Sequence, residues 1–161
     1  MIFFLYIYSL YLKKPKFLII IIYSSEKIKE EKAMAAHTDP KLQRQVIYSI
    51  YVRSHTPEGT FRAVIPDLDR IKALGTDIIW FMPIHPIGVE GKKGSLGCPY
   101  ANRDYREVNP AYGTMEDFRA LVDEIHARGM KCMIDVVYNH TSPDSVLYRE
   151  HPEYFYHDSD G

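Results

Sequence analysis

MKCMIDVVYNH, from Met130 to His140, is the stretch of sequence that decides the fold. Its first eight residues, 130–137, are apolar except for Lys131 and Asp135. A short apolar run that includes β-branched residues is typical of a strand buried on both faces of a parallel sheet. The stretch therefore predicts a buried strand over 130–137.

Asp135 gives this predicted strand a possible function. An ionised carboxylate in a buried strand is costly unless another group pairs with it, so we expect Asp135 to have a partner. Tyr138, Asn139 and His140 follow it, and α/β proteins place their chemistry at the C-terminal ends of parallel strands. Two interpretations stay open from this stretch alone. Either Asp135 belongs to a functional site, or it is a core carboxylate bonded to backbone amides next to a histidine that ends the strand.

Length and composition limit the class of protein. A chain of 161 residues is long enough for one domain with an apolar core. The net charge of -1 and the pI of about 6.6 give no basic surface, so no nucleic-acid partner is expected. Cys98 and Cys132 form neither a disulfide framework nor a CxxC metal site.

Residues 1–33 differ in composition from the rest of the chain. They are mostly Ile, Leu, Phe, Tyr and Lys, and they contain no Gly, Asp, Asn or Val. Lys13-Lys14-Pro15-Lys16 divides the apolar run into pieces shorter than the roughly 20 residues of a membrane helix, so no clear membrane span is predicted. We expect residues 1–33 to be a misassigned extension and Met34 to be the initiator. In that case the cytoplasm is the favoured location.

Two further strands and two helices are predicted upstream of Met130. Val46–Val52 and Ile78–Met82 are apolar runs of the strand type. Between them, an amphipathic stripe predicts a main helix from about Ile65, with Pro66 in its first turn and Gly75 just after its end.

The second helix has the clearest boundaries. Thr114 and Asp117 have the spacing of a capping box, and Gly129 follows the last helical residue. Apolar residues repeat at helical spacing along one face, namely Phe118, Leu121, Val122 and Ile125.

Three strands separated by two amphipathic helices predict parallel strands joined by right-handed crossovers. Doubly wound sheets and (β/α)₈ barrels both begin in this way, so the pattern alone does not separate them. No GxGxxG or P-loop motif follows the first strand, and no organic cofactor is expected.

A loop of about thirty residues lies between Pro83 and Tyr112. A loop of this length is functional or disordered, and this one carries too many aromatic and charged residues to look disordered. Since it leaves the C-terminal end of the second strand, it should arch over the side that Asp135 and His140 approach. Its aromatic residues either form a platform for a sugar ring or pack the loop onto the rim of the sheet.

Three segments, 59–88, 98–142 and 151–161, resemble the α-amylase superfamily of glycoside hydrolases in their order and spacing. DVVYNH (Asp135–His140) is similar to the first short signature of that family, at the end of the third barrel strand. The resemblance implies an α/β fold, the N-terminal βαβαβ portion of a (β/α)₈ TIM barrel. It also implies that the barrel is truncated after strand 3, at the start of the inserted domain near Thr141. Residues 34–161 would then be a partial catalytic barrel.

The same resemblance implies roles for single residues. Tyr100 would stack on the sugar ring at the site of cleavage, and His140 would hydrogen-bond the outer hydroxyls of that sugar. Asp135 would hold the site in place through neighbouring polar groups. Asn139 matches a position that supplies an oxygen to a structural calcium ion in many family members, and calcium prefers six to eight oxygen ligands.

The implied activity is hydrolysis of α-glucosidic bonds with retention, on an α-glucan or malto-oligosaccharide substrate. Family members use a nucleophilic Asp after strand four, a Glu acid/base after strand five and a second Asp after strand seven. None of these positions matches a residue of this chain, so no residue is assigned a catalytic role. We therefore expect the chain to be an enzyme fragment that is inactive alone and that self-associates through open strand edges.

Two other interpretations stay open. Some members of the superfamily are non-catalytic, membrane-anchored subunits of amino-acid transporters, and the hydrophobic N-terminus is compatible with that role. Against it, Lys13-Lys14-Pro15-Lys16 breaks the apolar run and the trio Tyr100, Asp135 and His140 is intact. The third interpretation is a stand-alone half-barrel or flavodoxin-like binding domain, for which the expected phosphate-binding glycine loop is missing.

Overall fold

The computed structural model describes residues 39–158 of the chain. The predictions for the extension over 1–33 and for a start at Met34 lie outside the described residues. So does the apolar N-terminal segment on which the transporter interpretation depends. Between residues 39 and 158, none of the helices combines the length and the apolar character needed to cross a membrane.

A parallel sheet of three strands forms the centre of the described structure, in the order β1-β2-β3. The strands are β1 (Ile47–Ile50), β2 (Ile78–Phe81) and β3 (Lys131–Ile134). In the register, Ile50 lies next to Phe81, and Phe81 lies next to Ile134. The C-terminal ends of the three strands are therefore level, and the segments that follow them leave from the same edge of the sheet.

Each strand is shorter than its apolar run predicts. The run that starts at Val46 is cut at its far end because Val52 begins a short helix, α1 (Val52–His55). Strand β3 ends at Ile134, so Asp135 lies directly after the strand and not inside it. The Asp135 amide still donates to the Phe81 carbonyl oxygen at 2.8 Å, which keeps Asp135 at the edge of the sheet.

Five α-helices and three short 3-10 helices lie within residues 39–158. After α1 come α2 (Phe61–Val64), α3 (Leu68–Ala73), α4 (Met115–Ala127) and α5 (Val146–Glu150). Short 3-10 helices cover Pro40–Arg44, Ile65–Asp67 and Pro152–Tyr154.

The predicted start of the first main helix at Ile65 is wrong. Helical structure begins at Phe61, after Thr60 accepts a hydrogen bond from the Ala63 amide at 3.3 Å. Pro66 then lies in the 3-10 turn that separates α2 from α3. Proline has no N–H to donate and its ring clashes with the carbonyl one turn earlier, so the helix tightens at this point and does not continue as one α-helix.

Helix α4 has the boundaries that the sequence predicts. The Thr114 hydroxyl accepts from the Asp117 amide at 3.2 Å, and the Asp117 carboxylate accepts from the Thr114 amide at 2.9 Å, which confirms the capping box. Gly129 follows the helix with a φ of 71°, a conformation that favours glycine. The four predicted apolar residues of its inner face are buried.

The core lies between one face of the sheet and helices α2 and α4. Phe118 of α4 is central to it, with its ring centroid 5.1 Å from that of Phe61 and 6.0 Å from that of Phe81. Alternate residues of each strand point to the opposite face of the sheet, which is only partly covered. Ile47 is 48% exposed there, whereas Ile78 and Met133 are buried.

Candidate substrate site at the C-terminal edge of the sheet

Tyr100 and Asp135 meet at the C-terminal edge of the sheet. The Tyr100 hydroxyl donates to an oxygen of the Asp135 carboxylate at 3.0 Å, and both residues are half-buried. Burial, followed by the contact with Asp135, raises the pKa of Tyr100 to about 12, so the phenol keeps its proton at neutral pH. Tyr100 is thus the partner that Asp135 was predicted to need. The bond between them joins the loop after β2 to the end of β3.

The loop between Pro83 and Tyr112 is folded against the segment that follows β3. Ile87 and Asn102 form an antiparallel bridge within the loop. The Asn102 carbonyl oxygen then accepts two hydrogen bonds from Ser142, one from its amide at 2.9 Å and one from its hydroxyl at 3.1 Å. These bonds confirm that the loop is ordered and that it packs over the side from which the chain leaves β3.

Tyr105 fixes the backbone that carries His140. Its hydroxyl donates to the carbonyl oxygen of Val137 and lies 3.4 Å from the carbonyl oxygen of His140. The ring of His85, which is buried, packs edge-on against the Tyr105 ring at a centroid distance of 5.9 Å. Tyr105 thus holds the main chain at residues 137 and 140, and His85 packs against the Tyr105 ring.

His85 is held in its neutral form by its surroundings. Burial lowers its pKa, and its Nδ1 lies 2.8 Å from the Glu107 carbonyl oxygen, to which it donates. Its Nε2 is buried without a hydrogen-bond partner among the described residues. His85 is therefore a structural support of the loop at neutral pH and carries no charge there.

His140 and Asn139 are both exposed. The His140 Nδ1 lies 3.5 Å from the Asn139 side-chain nitrogen, and within residues 39–158 no hydrogen bond joins the imidazole to Tyr100 or Asp135. The structure therefore brings two of the three predicted sugar-contacting residues together. It leaves the third side chain open to solvent on the segment that Tyr105 anchors.

The family assignment follows from a comparison with protein-family models. A model described as "Alpha amylase, catalytic domain" matches residues 25–160. The chain belongs to the α-amylase family. The three parallel strands are accordingly the N-terminal βαβαβ portion of the (β/α)₈ barrel, as the sequence predicts.

Solved structures of α-amylases are similar to this chain. An α-amylase from Lactobacillus plantarum is 60% identical with a TM-score of 0.74, and the match covers 75% of this chain and 29% of that one. A noncanonic maltogenic α-amylase from Thermotoga neapolitana is 41% identical with a TM-score of 0.70, and the match covers 74% of this chain and 29% of that one.

Curated proteins that are similar to the chain include hydrolases and transferases. Probable oligo-1,6-glucosidase 2 of Bacillus subtilis (strain 168) is 37% identical over 110 residues, which cover 65% of this chain and 18% of that protein. The trehalose-6-phosphate hydrolase of the same strain is 36% identical over 122 residues, which cover 73% of this chain and 21% of that protein. The chain thus spans about a fifth of the length of the curated relatives it matches.

A calcium site is not assembled by the described part of this α-amylase-family chain. Calcium needs six to eight oxygen ligands. Residues 39–158 contain no cluster of three or more His, Cys, Asp or Glu side chains that could hold a metal ion. The exposed Asn139 side chain contacts only the His140 ring among the described residues, so this donor set does not fit calcium. Asn139 as a calcium ligand stays a prediction.

The roles of His85 and Tyr105 in supporting the loop and the segment after β3 were not predicted from the sequence. His85 lies four positions after the end of β2. A polar residue just after a parallel strand indicates a site residue, as it did for Asp135. The role of Tyr105 depends on a hydrogen bond to a residue 32 positions away, and no local pattern indicates such a bond.

Proposed function

We propose that this chain forms the first three βα units, and with them one side of the substrate site, of a retaining glycoside hydrolase. Its substrates are starch or malto-oligosaccharides, which it cleaves at α-glucosidic bonds. The membership of the α-amylase family supports the class of reaction. The names of its relatives, which include α-amylases and an oligo-1,6-glucosidase, support an α-glucoside as the substrate.

The hydrogen bond between Tyr100 and Asp135 is the observation that carries this proposal. It fixes the orientation of the Tyr100 ring at the C-terminal edge of the sheet, where barrel enzymes bind their substrates. A phenol ring held at one edge presents its apolar faces, and such a face packs against the C–H groups of a pyranose. Tyr100 in this role is a binding residue, and Asp135 is the residue that positions it.

His140 completes the sugar contact in this proposal. Its exposed imidazole can both donate to and accept from hydroxyl groups, and the Tyr105 bonds hold the backbone on which it is mounted. A sugar hydroxyl bound in this way is oriented relative to the Tyr100 ring. Orientation of this kind contributes to catalysis only when the reacting groups are present as well.

Bond cleavage in this proposal uses carboxylates beyond the present chain. Retention requires a nucleophile and an acid/base whose carboxyl groups lie about 5–5.5 Å apart. Asp135 is engaged with Tyr100 and follows strand 3, which is not the position of either group in the family. Substrate binding is therefore the contribution that we assign to this chain.

A chimeric enzyme tests the proposal. Residues 46–158 replace the corresponding segment of the Lactobacillus plantarum α-amylase, which supplies the remaining strands. We expect the chimera to release reducing sugar from starch, because the two sequences are 60% identical where they match. A folded chimera without activity, beside an active parent enzyme, would refute the proposed function.

A further inference from the structure

The geometry points to a second ligand site, specific for a phosphate group, in a cleft between helix α1 and the loop 83–112. The cleft has a volume of about 260 Å³, and its lining includes Arg53, Arg103, Asn109 and Tyr112. None of the ten residues that line it is Asp or Glu. Tyr100 and Asp135 do not line it either, so it is distinct from the candidate sugar site.

The guanidinium group of Arg53 is held in place by neutral groups. Its two terminal nitrogens donate to the carbonyl oxygens of Leu96 at 3.2 Å and Gly97 at 3.5 Å, and its guanidinium lies 5.0 Å from the centre of the Tyr51 ring. No carboxylate among the described residues forms an ion pair with it. Neutral partners orient the group without cancelling its charge, and its other N–H donors stay available.

Arg103 places a second guanidinium at the same cleft. Its Nε lies 3.5 Å from the Asp144 carboxylate, which also accepts from the Val89 amide at 3.1 Å. A long ion pair with an exposed arginine holds that side chain only weakly. Most of the Arg103 donors are therefore free to bind a ligand with several acceptor oxygens.

The side-chain amide of Asn109 in the lining favours a ligand acceptor as well. The Asn109 side-chain oxygen already accepts from the Ala111 amide at 3.0 Å, so its nitrogen is the atom left to contact a ligand. The Tyr112 hydroxyl is buried and interacts with the Tyr51 hydroxyl, so it is not an open donor for a ligand. Burial, followed by the contact with Tyr51, raises the pKa of Tyr112.

Two guanidinium groups and an amide donor, in a lining that contains no Asp or Glu, match a phosphate better than a neutral sugar. A phosphate monoester carries about -1.5 to -2 charges at neutral pH and has three strong acceptor oxygens. One guanidinium group can donate two parallel hydrogen bonds to two phosphate oxygens, whereas a single hydroxyl group offers only one oxygen. Inorganic phosphate and a phosphorylated sugar share this chemistry.

Equilibrium dialysis of the full 161-residue chain against radiolabelled inorganic phosphate tests this site. The method reports binding whether the chain is monomeric or associated. We expect saturable binding of one phosphate per chain, and about tenfold or greater weakening in Arg103→Gln, since a charged hydrogen bond is lost. Arg119→Gln is the matched control, because Arg119 lies on helix α4, pairs with Glu116 at 3.3 Å and does not line the cleft.

Competing ligands distinguish the two sources of phosphate. Glucose 6-phosphate that displaces the label more strongly than unlabelled phosphate assigns the site to a phosphorylated sugar, and equal displacement assigns it to free phosphate. Glucose should displace nothing, and acetate should displace less than phosphate.

Three results of these measurements would overturn the proposal, and a further variant adds a fourth. They are the absence of saturable phosphate binding, an unchanged affinity in Arg103→Gln, and an equal loss in Arg119→Gln, which would show attraction to net charge alone. Arg53→Gln also removes the bonds to Leu96 and Gly97, so it serves as a second variant whose far-ultraviolet circular dichroism must match that of the original chain. With that match, unaltered binding in Arg53→Gln would refute the site as well.

Discussion

The core beneath helix α4 and the rim at the C-terminal edge of the sheet are stabilised in different ways. In the core, Phe61, Leu121 and Ile125 are fully buried and contact several apolar neighbours each. At the rim, Tyr100 and Asp135 are half-buried, and one hydrogen bond joins their side chains. The core therefore tolerates small shifts in any one contact, whereas the position of the rim residues depends on single directional bonds.

The largest effect that we expect is a complete absence of glycosidase activity in residues 34–161 expressed alone. In our proposal these residues supply sugar contacts but neither the nucleophile nor the acid/base, so we expect binding without reaction. Release of reducing sugar from starch, compared with a vector control and with the active chimera, measures this. Turnover above the vector control would place the catalytic carboxylates inside this chain and would contradict our assignment.

The same sample tests association. Within the described residues, β1 and β3 are the outer strands of the sheet, and Val46 and Ile47 are 47% and 48% exposed. Open strand edges next to exposed apolar side chains favour pairing between chains. Light scattering should therefore report oligomers, and a cooperatively unfolding monomer would be the opposite result.

Truncation of Leu121 should have the largest effect on stability. Leu121 is fully buried in the inner face of α4, and Leu→Ala changes at such sites cost about 2–5 kcal/mol of unfolding free energy. The matched control is Leu74→Ala, because Leu74 is 59% exposed at the end of α3. Urea unfolding followed by circular dichroism at one protein concentration compares the variants. Similar midpoints for the two would show that the core does not support the structure in the way we describe.

Truncation of Tyr100 tests the rim within the chimera. Tyr100→Ala removes both the ring and the bond to Asp135, and we expect kcat/KM on a malto-oligosaccharide to fall roughly 10- to 100-fold. Tyr100→Phe keeps the ring and removes the hydroxyl, so it should lose less if stacking dominates. Tyr156→Ala is the control, because Tyr156 is fully exposed. An unchanged kcat/KM in Tyr100→Ala would refute the stacking role.

A similar or smaller effect is expected for His140. His140→Ala in the chimera removes hydrogen bonds to the sugar, which are worth about 1–3 kcal/mol, or roughly 10- to 100-fold in kcat/KM. The backbone bond from Tyr105 to the His140 carbonyl oxygen is retained in this variant, so the segment should stay in place. His126→Ala is a matched control, because His126 is a half-buried histidine in the last turn of α4. Equal kinetics for His140→Ala and the parent chimera would remove His140 from the site.

The core was predictable because its signals are local and repeated. Four apolar residues at helical spacing, a capping box and a terminal glycine define α4, and all of them lie within the range 114–129. The parallel order of the strands followed from the alternation of strands and helices. The strand ends and the break at Pro66 were less predictable, because they depend on which residues find partners in the folded sheet and helix.

The rim was predictable only in part. The need of Asp135 for a partner follows from the cost of burying a carboxylate, but the identity of that partner depends on a residue 35 positions away. Resemblance to the α-amylase superfamily singled out Tyr100, while His85 and the Tyr105 anchor were not recognised. The physical reason is that long-range hydrogen bonds leave no periodicity in the sequence.

The smallest effect that we expect is a pH dependence at the start of α4, in the region that local signals define. Hydrogen bonding from Arg62, followed by that from Thr114, lowers the pKa of Asp117 to about 2. Because the folded-state pKa lies below the ordinary value of 3.8, the carboxylate stabilises the fold above about pH 4. That contribution is lost as the pH falls through about 2.

The difference in urea midpoint between the parent chain and Asp117→Asn should therefore be present at pH 7 and shrink toward pH 2. Asp123→Asn, on the exposed side of the same helix, should show no such trend, since Asp123 has no ion pair among the described residues. A difference for Asp117→Asn that is equal at both pH values would mean that the capping bonds do not depend on the charge of Asp117.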